Sequence, residues 1–151
     1  MSQLNLDIVR SVYDAFDSHD MDGVLQDVDD DVQVFATEGL PWSGTYSGPG
    51  GVEEFIRTVE AHVSLSVETE ELFDSGTSVA QIGRLRGETR ATGSPFDLRE
   101  VHVWGLRNGK IVSFRNYVDT QAQRRALGLP EQDEPPSDDD SGGSKREAFW
   151  G

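Results

Sequence analysis

From Leu65 to Asp119, apolar and polar residues alternate with a period of two in four successive runs, Leu65–Phe73, Val79–Arg90, Phe96–Arg107 and Lys110–Asp119. Neighbouring side chains of a strand point to opposite faces, so each run predicts a strand with one buried face. Turn chemistry separates the runs at Asp74-Ser75-Gly76, at Thr92-Gly93-Ser94-Pro95 and at Asn108-Gly109. The last pair favours a two-residue hairpin, because both central positions accept positive φ. Connections this short impose an antiparallel meander, since parallel neighbours need a crossover of about a dozen residues.

Helical periodicity precedes the meander. Leu4, Ile8, Val9, Val12, Tyr13 and Phe16 recur at spacings of three and four and predict one apolar helix face. Asp22-Gly23-Val24-Leu25 reads as a short second helix, and Val32-Gln33-Val34-Phe35 as a short strand. Residues 39–51, GLPWSGTYSGPGG, read as a Gly/Pro-rich loop. In the helix that follows, Val52, Phe55, Ile56 and Val59 face inward. Thr120–Leu127 reads as a short closing helix. Helices first and an antiparallel sheet after predict an α+β domain over residues 1–127.

Composition narrows the function classes. The chain has 151 residues, 28 acids against 13 bases and a formal net charge of −15. Such a surface opposes nucleic acid and anionic membrane as partners, since both need basic groups to displace counterions. Only Lys110 and Lys145 are lysines, and an acidic, lysine-poor surface suits the cytoplasm of a halophile, where salt screens self-repulsion. The absence of cysteine removes disulfides and thiolate chemistry. No apolar run is long enough to span a bilayer, and MSQLNLDIVR lacks a signal-peptide pattern, so a cytoplasmic location is expected. From Gly128 the sequence turns rich in Pro, Gly, Ser and Asp, a composition expected of a disordered acidic tail over 128–151. Ala148-Phe149-Trp150 is its one apolar patch.

Several motifs favour structural readings. The glycines of GTYSGPGGVEEF precede a helix but lack the Gly-Lys-Ser/Thr ending of a phosphate cradle, and two glutamates stand where phosphate charge would lie. Ser18-x-Asp20-x-Asp22-Gly23 grazes a calcium-loop pattern without its first aspartate or its bidentate glutamate, so helix-start chemistry explains it. Asp29-Asp30-Asp31 reads as a solvated turn. His19, His62 and His102 lack metal-ligand spacing, and neither a metal nor a cofactor is expected.

The last two strands carry more. One face of FDLREVHVWGLR holds Phe96, Leu98, Glu100, His102, Trp104 and Leu106, and one face of KIVSFRNYVD holds Val112, Phe114, Asn116 and Val118. A mostly apolar surface with a few convergent polar groups has the character of a small-molecule pocket. On the other face Arg115 is expected to pair with a carboxylate or a subunit partner. Asp119 is expected to cap the closing helix.

These elements, with VRSVYDAFDSHDMDGVLQDVDDDVQVFA, LPWSGTYSGPGGVEEF and HVWGLRNGKIVSFRNYVDT, resemble the SnoaL-like proteins of the nuclear-transport-factor-two-like superfamily over about residues 6–127. The resemblance implies a cone, a strongly curved antiparallel sheet wrapped around three helices, with a pocket at its open end and homodimers through the convex face. The catalytic positions of ketosteroid isomerases in this superfamily match Val12, Ala36 and His102, so only the last bears a titratable group, as it does for the SnoaL-type cyclases. Phe114-Arg115-Asn116-Tyr117-Val118-Asp119 resembles the last strand of limonene-epoxide hydrolases. Their water-activating aspartate falls on Asn116 and their other charged positions near Arg84 and Arg86, so that activity is not implied.

What is implied is a proton-transfer enzyme of isomerase or cyclase type acting on a small apolar, oxygenated molecule. His102 would be the acid/base, since a free imidazole titrates near pH 6.5. Asn116 would hold a substrate oxygen and Glu100 would orient the imidazole. Phe16, Phe35, Trp42, Trp104, Phe114 and Val118 would form the walls. The alternative is a non-catalytic ligand-binding or dimerisation module.

Overall fold

The amphipathic opening folds as α1 (Ser2–Asp17) in a computed structural model that describes residues 2–130. Ile8, Val9, Val12, Tyr13 and Ala15 form its buried stripe. Asp20 accepts a hydrogen bond from the Gly23 amide and starts α2 (Met21–Leu25). The next strand, β1 (Val28–Ala36), is longer than the expected Val32–Phe35 and contains Asp29-Asp30-Asp31, expected as a turn. Its pairing explains the discrepancy. Val28 aligns with Ile111 and Gln33 with Ser113, so the acids occupy a stretch where the register slips, and Asp31 is solvent-exposed.

The Gly/Pro-rich loop is more ordered than its composition suggests. Residues Gly44–Ser47 form β2, an edge strand antiparallel to β1, and α3 (Gly48–His62) starts within the same segment. Pro49 lies in the first turn of α3, where a missing N–H costs nothing. Val52, Ile56 and Val59 of α3 are buried, as its spacing predicts.

The four alternating runs become β3 (Val63–Asp74), β4 (Ser78–Thr89), β5 (Pro95–Arg107) and β6 (Lys110–Val118), followed by α4 (Thr120–Leu127). Asn108 and Gly109 adopt φ of 54° and 75° in the β5–β6 turn. The six strands form one curved sheet in the order β2-β1-β6-β5-β4-β3. The sheet is expected antiparallel throughout, but β1 lies parallel to β6. The chain from α3 through β5 supplies the long crossover that such pairing needs.

Helices and concave sheet face enclose two apolar clusters. One gathers α1, α3 and the centre of the sheet around Trp104 and Phe114. The other gathers Leu40, Trp42, Val63, Leu85, Phe96 and Leu98, with α4 packed on it. Asp119 caps α4 by accepting from the Ala122 amide, as expected, and Gly128 ends it at φ 77°. The expected tail lies outside the described residues apart from 128–130, where the Pro130 carbonyl accepts from Arg124. Among the described residues, no helix is long and apolar enough to cross a membrane.

Candidate functional site

Between the helices and the concave sheet face lies a cavity of about 120 Å³ with almost wholly apolar walls. The alternation of β5 accounts for one side, since Phe96, Leu98, Glu100, His102, Trp104 and Leu106 all turn inward and are buried. On β6 the inward set is Ile111, Phe114, Asn116 and Val118. Val112, expected on this face, is displaced because the β5–β6 register shifts between Gly105 and Leu106, and Ile111 takes the inward place opposite Leu106.

His102, Asn116, Phe16, Trp42, Trp104, Phe114 and Val118 all line the cavity. Phe35 does not. It alternates with the buried Val34, which takes the inward place, and it stacks on the outer face beneath Arg115, whose guanidinium carbon lies 3.9 Å from the ring centre. That contact also replaces the carboxylate partner expected for Arg115. Glu100 is buried behind the cavity wall, with a carboxylate oxygen 3.3 Å from His102 Nε2. The two are not aligned as a hydrogen bond, and among the described residues neither Glu100 oxygen has a hydrogen-bond partner.

The other side of the imidazole meets α1. The Tyr13 hydroxyl lies 2.7 Å from His102 Nδ1 and accepts a hydrogen bond from Trp104 Nε1 at 2.9 Å. The resemblance placed the helix-one position on Val12, but the hydroxyl comes from the next residue. Tyr13 sits on the apolar stripe that the helical spacing picks out, and its polar end is the part that spacing does not reveal. Ala36, the other matched position, packs at the edge of the second cluster and brings no acid.

A polar band crosses the concave face in register. Gln81 aligns with His102 on one side, and Asn116 aligns with it on the other. Gln81 is fully buried and donates to Thr69 Oγ1 at 3.0 Å. Asn116 Oδ1 accepts from the Thr37 amide at 3.2 Å, which leaves Nδ2 as the group the residue can offer a ligand. Gly83, opposite Glu100, lets β3 approach, since a Cβ there would stand 2.0 Å from the Glu68 carbonyl oxygen, and also 2.8 Å from Gln81 Nε2 and 3.0 Å from Glu100 Oε2.

Burial sets the protonation states. It holds the His102 imidazole down at about 3, so the ring is neutral near pH 7. It pushes the Glu100 carboxyl up to about 7. It raises the Tyr13 hydroxyl above its usual range, so the phenol stays protonated. The group that changes charge near neutrality is therefore Glu100, whereas sequence alone assigned that role to His102. Among the described residues, no three His, Cys, Asp or Glu side chains gather as a metal site would require.

Residues 9–114 match the family model of the SnoaL-like domain. Among solved structures, a nuclear-transport-factor-two-like protein of unknown function from Burkholderia pseudomallei is 32% identical with a TM-score of 0.78, over 82% of this chain and 97% of that one. TerC, co-crystallised with polyporic acid, is 25% identical with a TM-score of 0.77, over 83% and 98%. A protein of ketosteroid isomerase-like fold from Catenulispora acidiphila, in complex with trimethylamine, is 16% identical with a TM-score of 0.72, over 85% and 97%, and shares the fold. No curated protein matches the sequence. With a family model that spans most of the folded body and structural neighbours of the same architecture, the chain belongs to the SnoaL-like domain family, on the nuclear-transport-factor-two-like fold.

Proposed function

We propose that this protein is an acid/base enzyme of isomerase or cyclase type that moves a proton on a small, neutral, oxygenated substrate. The observation that carries the reading is the buried chain Tyr13–His102–Glu100, which links a cavity hydroxyl to a carboxyl that titrates near neutrality. With Glu100 ionised, His102 carries its proton on Nε2 and accepts from the Tyr13 hydroxyl at Nδ1. The phenol oxygen can then take a proton from a substrate C–H while passing its own to Nδ1, and the Nε2 proton moves to Glu100 once a small rotation brings their 3.3 Å contact into line. The balance is one proton from substrate to carboxylate, and the reverse sequence returns it to a second substrate atom. With Glu100 protonated, Nδ1–H and Trp104 Nε1–H both donate to the phenol oxygen, so its own O–H is free to point at a substrate oxygen. Asn116 Nδ2 would hold that oxygen. TerC with polyporic acid is a relative in which a small molecule was co-crystallised.

The size of the cavity favours a substrate near one ring, since a cavity of roughly 150 Å³ accepts benzene. The test is deuterium incorporation at the α-carbons of small cyclic ketones in D₂O. The expected rate falls on the order of 10²-fold in Tyr13→Phe and in His102→Gln. Equal rates in all three proteins would remove the chain from the mechanism.

A second reading, a pocket that binds without reacting, draws on the absence of a carboxylate from the cavity lining itself. No exchange above background in any ketone would favour it. We also propose a homodimer through the convex face, where Tyr117 and Phe73 are each 54% exposed. Sedimentation at a monomer mass would contradict it.

A further inference from the structure

The cavity has a second polar feature, on the side formed by α4. Gln123 of α4 lines it and is fully buried, and among the described residues neither its Oε1 nor its Nε2 has a hydrogen-bond partner. The residue is held in place from both sides. Thr89 Oγ1 donates to the Ala126 carbonyl at 2.7 Å, Arg124 reaches the Gly39 carbonyl, and Ala122, Ala126 and Leu127 pack on the second apolar cluster. The side chain therefore cannot reach solvent unless α4 leaves the sheet. A buried carboxamide without partners carries the whole cost of its lost hydration, whereas methionine would occupy similar space without it.

We propose that Gln123 is the specificity-determining residue of this cavity, and that it selects a neutral ligand bearing a hydrogen-bond donor and acceptor side by side, as in a lactam or an amide. A carboxamide presents one acceptor and one donor about as far apart as the two groups of a cis-amide, so a single ligand group satisfies both atoms. A charged ligand is disfavoured because the cavity walls are almost wholly apolar. The inference rests on the cavity alone, so the proton-transfer reading can fail in the exchange assay while this one stands.

The test compares two probes of nearly equal size, 2-piperidone and cyclohexanone, by calorimetric titration of the full chain and of Gln123→Met. The ring N–H is the difference that Gln123 should read. The wild-type protein is expected to bind the lactam about tenfold or more tighter than the ketone, and Gln123→Met to bind the two alike. Without ligand, Gln123→Met is expected to melt above wild type, because it removes an unpaired buried amide. Absence of lactam binding, equal affinities in wild type as expected for a cavity that holds only water there, survival of the preference in Gln123→Met, or a lower melting temperature in that variant would each overturn the proposal.

Discussion

The two faces of the sheet treat polar groups in opposite ways. On the convex face of β3, β4 and β5, charged side chains are exposed and matched. Arg84 and Arg86 both reach Asp97, Arg86 reaches Glu68, and Arg99 reaches Glu70. On the concave side, Gln81, Glu100 and Gln123 are buried, and each leaves at least one polar atom without a partner. Native interiors ordinarily satisfy their polar groups, so unmet ones need a reason. On the convex face water supplies whatever a pair lacks. On the concave face only a ligand or ordered water can; Gln123 lines the cavity, and Gln81 and Glu100 flank His102, which lines it too. The contrast separates charge that keeps the surface solvated from polarity that costs stability and is retained beside a cavity.

The largest expected effect lies on the concave side and depends on pH. Folded Glu100 holds its proton to about 7, whereas its unfolded counterpart loses it near 4.5. Its contribution is complete below 4.5 and is lost as pH rises through 7, at most about 3 kcal/mol. His102 runs the other way, because the folded imidazole stays neutral down to about 3 and the unfolded one protonates near 6.5. Its contribution is present above 6.5 and is lost on acidification, so the two oppose each other between 4.5 and 6.5. Glu100→Gln should leave the histidine part alone. Urea unfolding of both proteins from pH 4.5 to 8 should give a stability difference that moves against wild type as pH rises toward 7. A difference that does not change with pH would mean that the carboxyl is hydrated in the folded protein.

The smallest effect is expected on the convex side. Arg99→Ala should cost less than about 1 kcal/mol at 0.1 M KCl and nothing measurable at 2 M, since exposed pairs are weak and screened. The wild-type protein, relieved of repulsion among its acids, should gain stability over the same range. A large cost that persists in salt would erase the contrast between the faces.

The sequence makes some of this legible and conceals the rest for physical reasons. The period of two in β4, β5 and β6 and the caps at Asp20 and Asp119 are local signals, and local signals place His102, Trp104, Phe114 and Asn116 on one inward face. An aromatic ring beside a cavity reads as wall material, yet Phe35 shares its face of β1 with Gln33, and Val32 and Val34 fill the inward one. The displacement of Val112 is hidden because a register shift is a property of two strands and leaves no mark on one. The β2 strand hides within glycine and proline whose pairing depends on β1. Tyr13 meets His102 across 89 positions of chain, and nothing local distinguishes Gln123 from a solvent-facing glutamine until α4 is seen lying over the cavity.

The most direct test of the account is the state of the His102 ring nitrogens. In ¹⁵N-labelled protein followed from pH 5 to 9, His102 should stay neutral throughout. Its proton should shift from Nδ1 to Nε2 with a midpoint near 7, as Glu100 ionises beside it, and this transition should vanish in Glu100→Gln. A ring that becomes imidazolium within this range, or one whose two nitrogens hold constant shifts across it, would contradict the chain of proton sites on which the account depends.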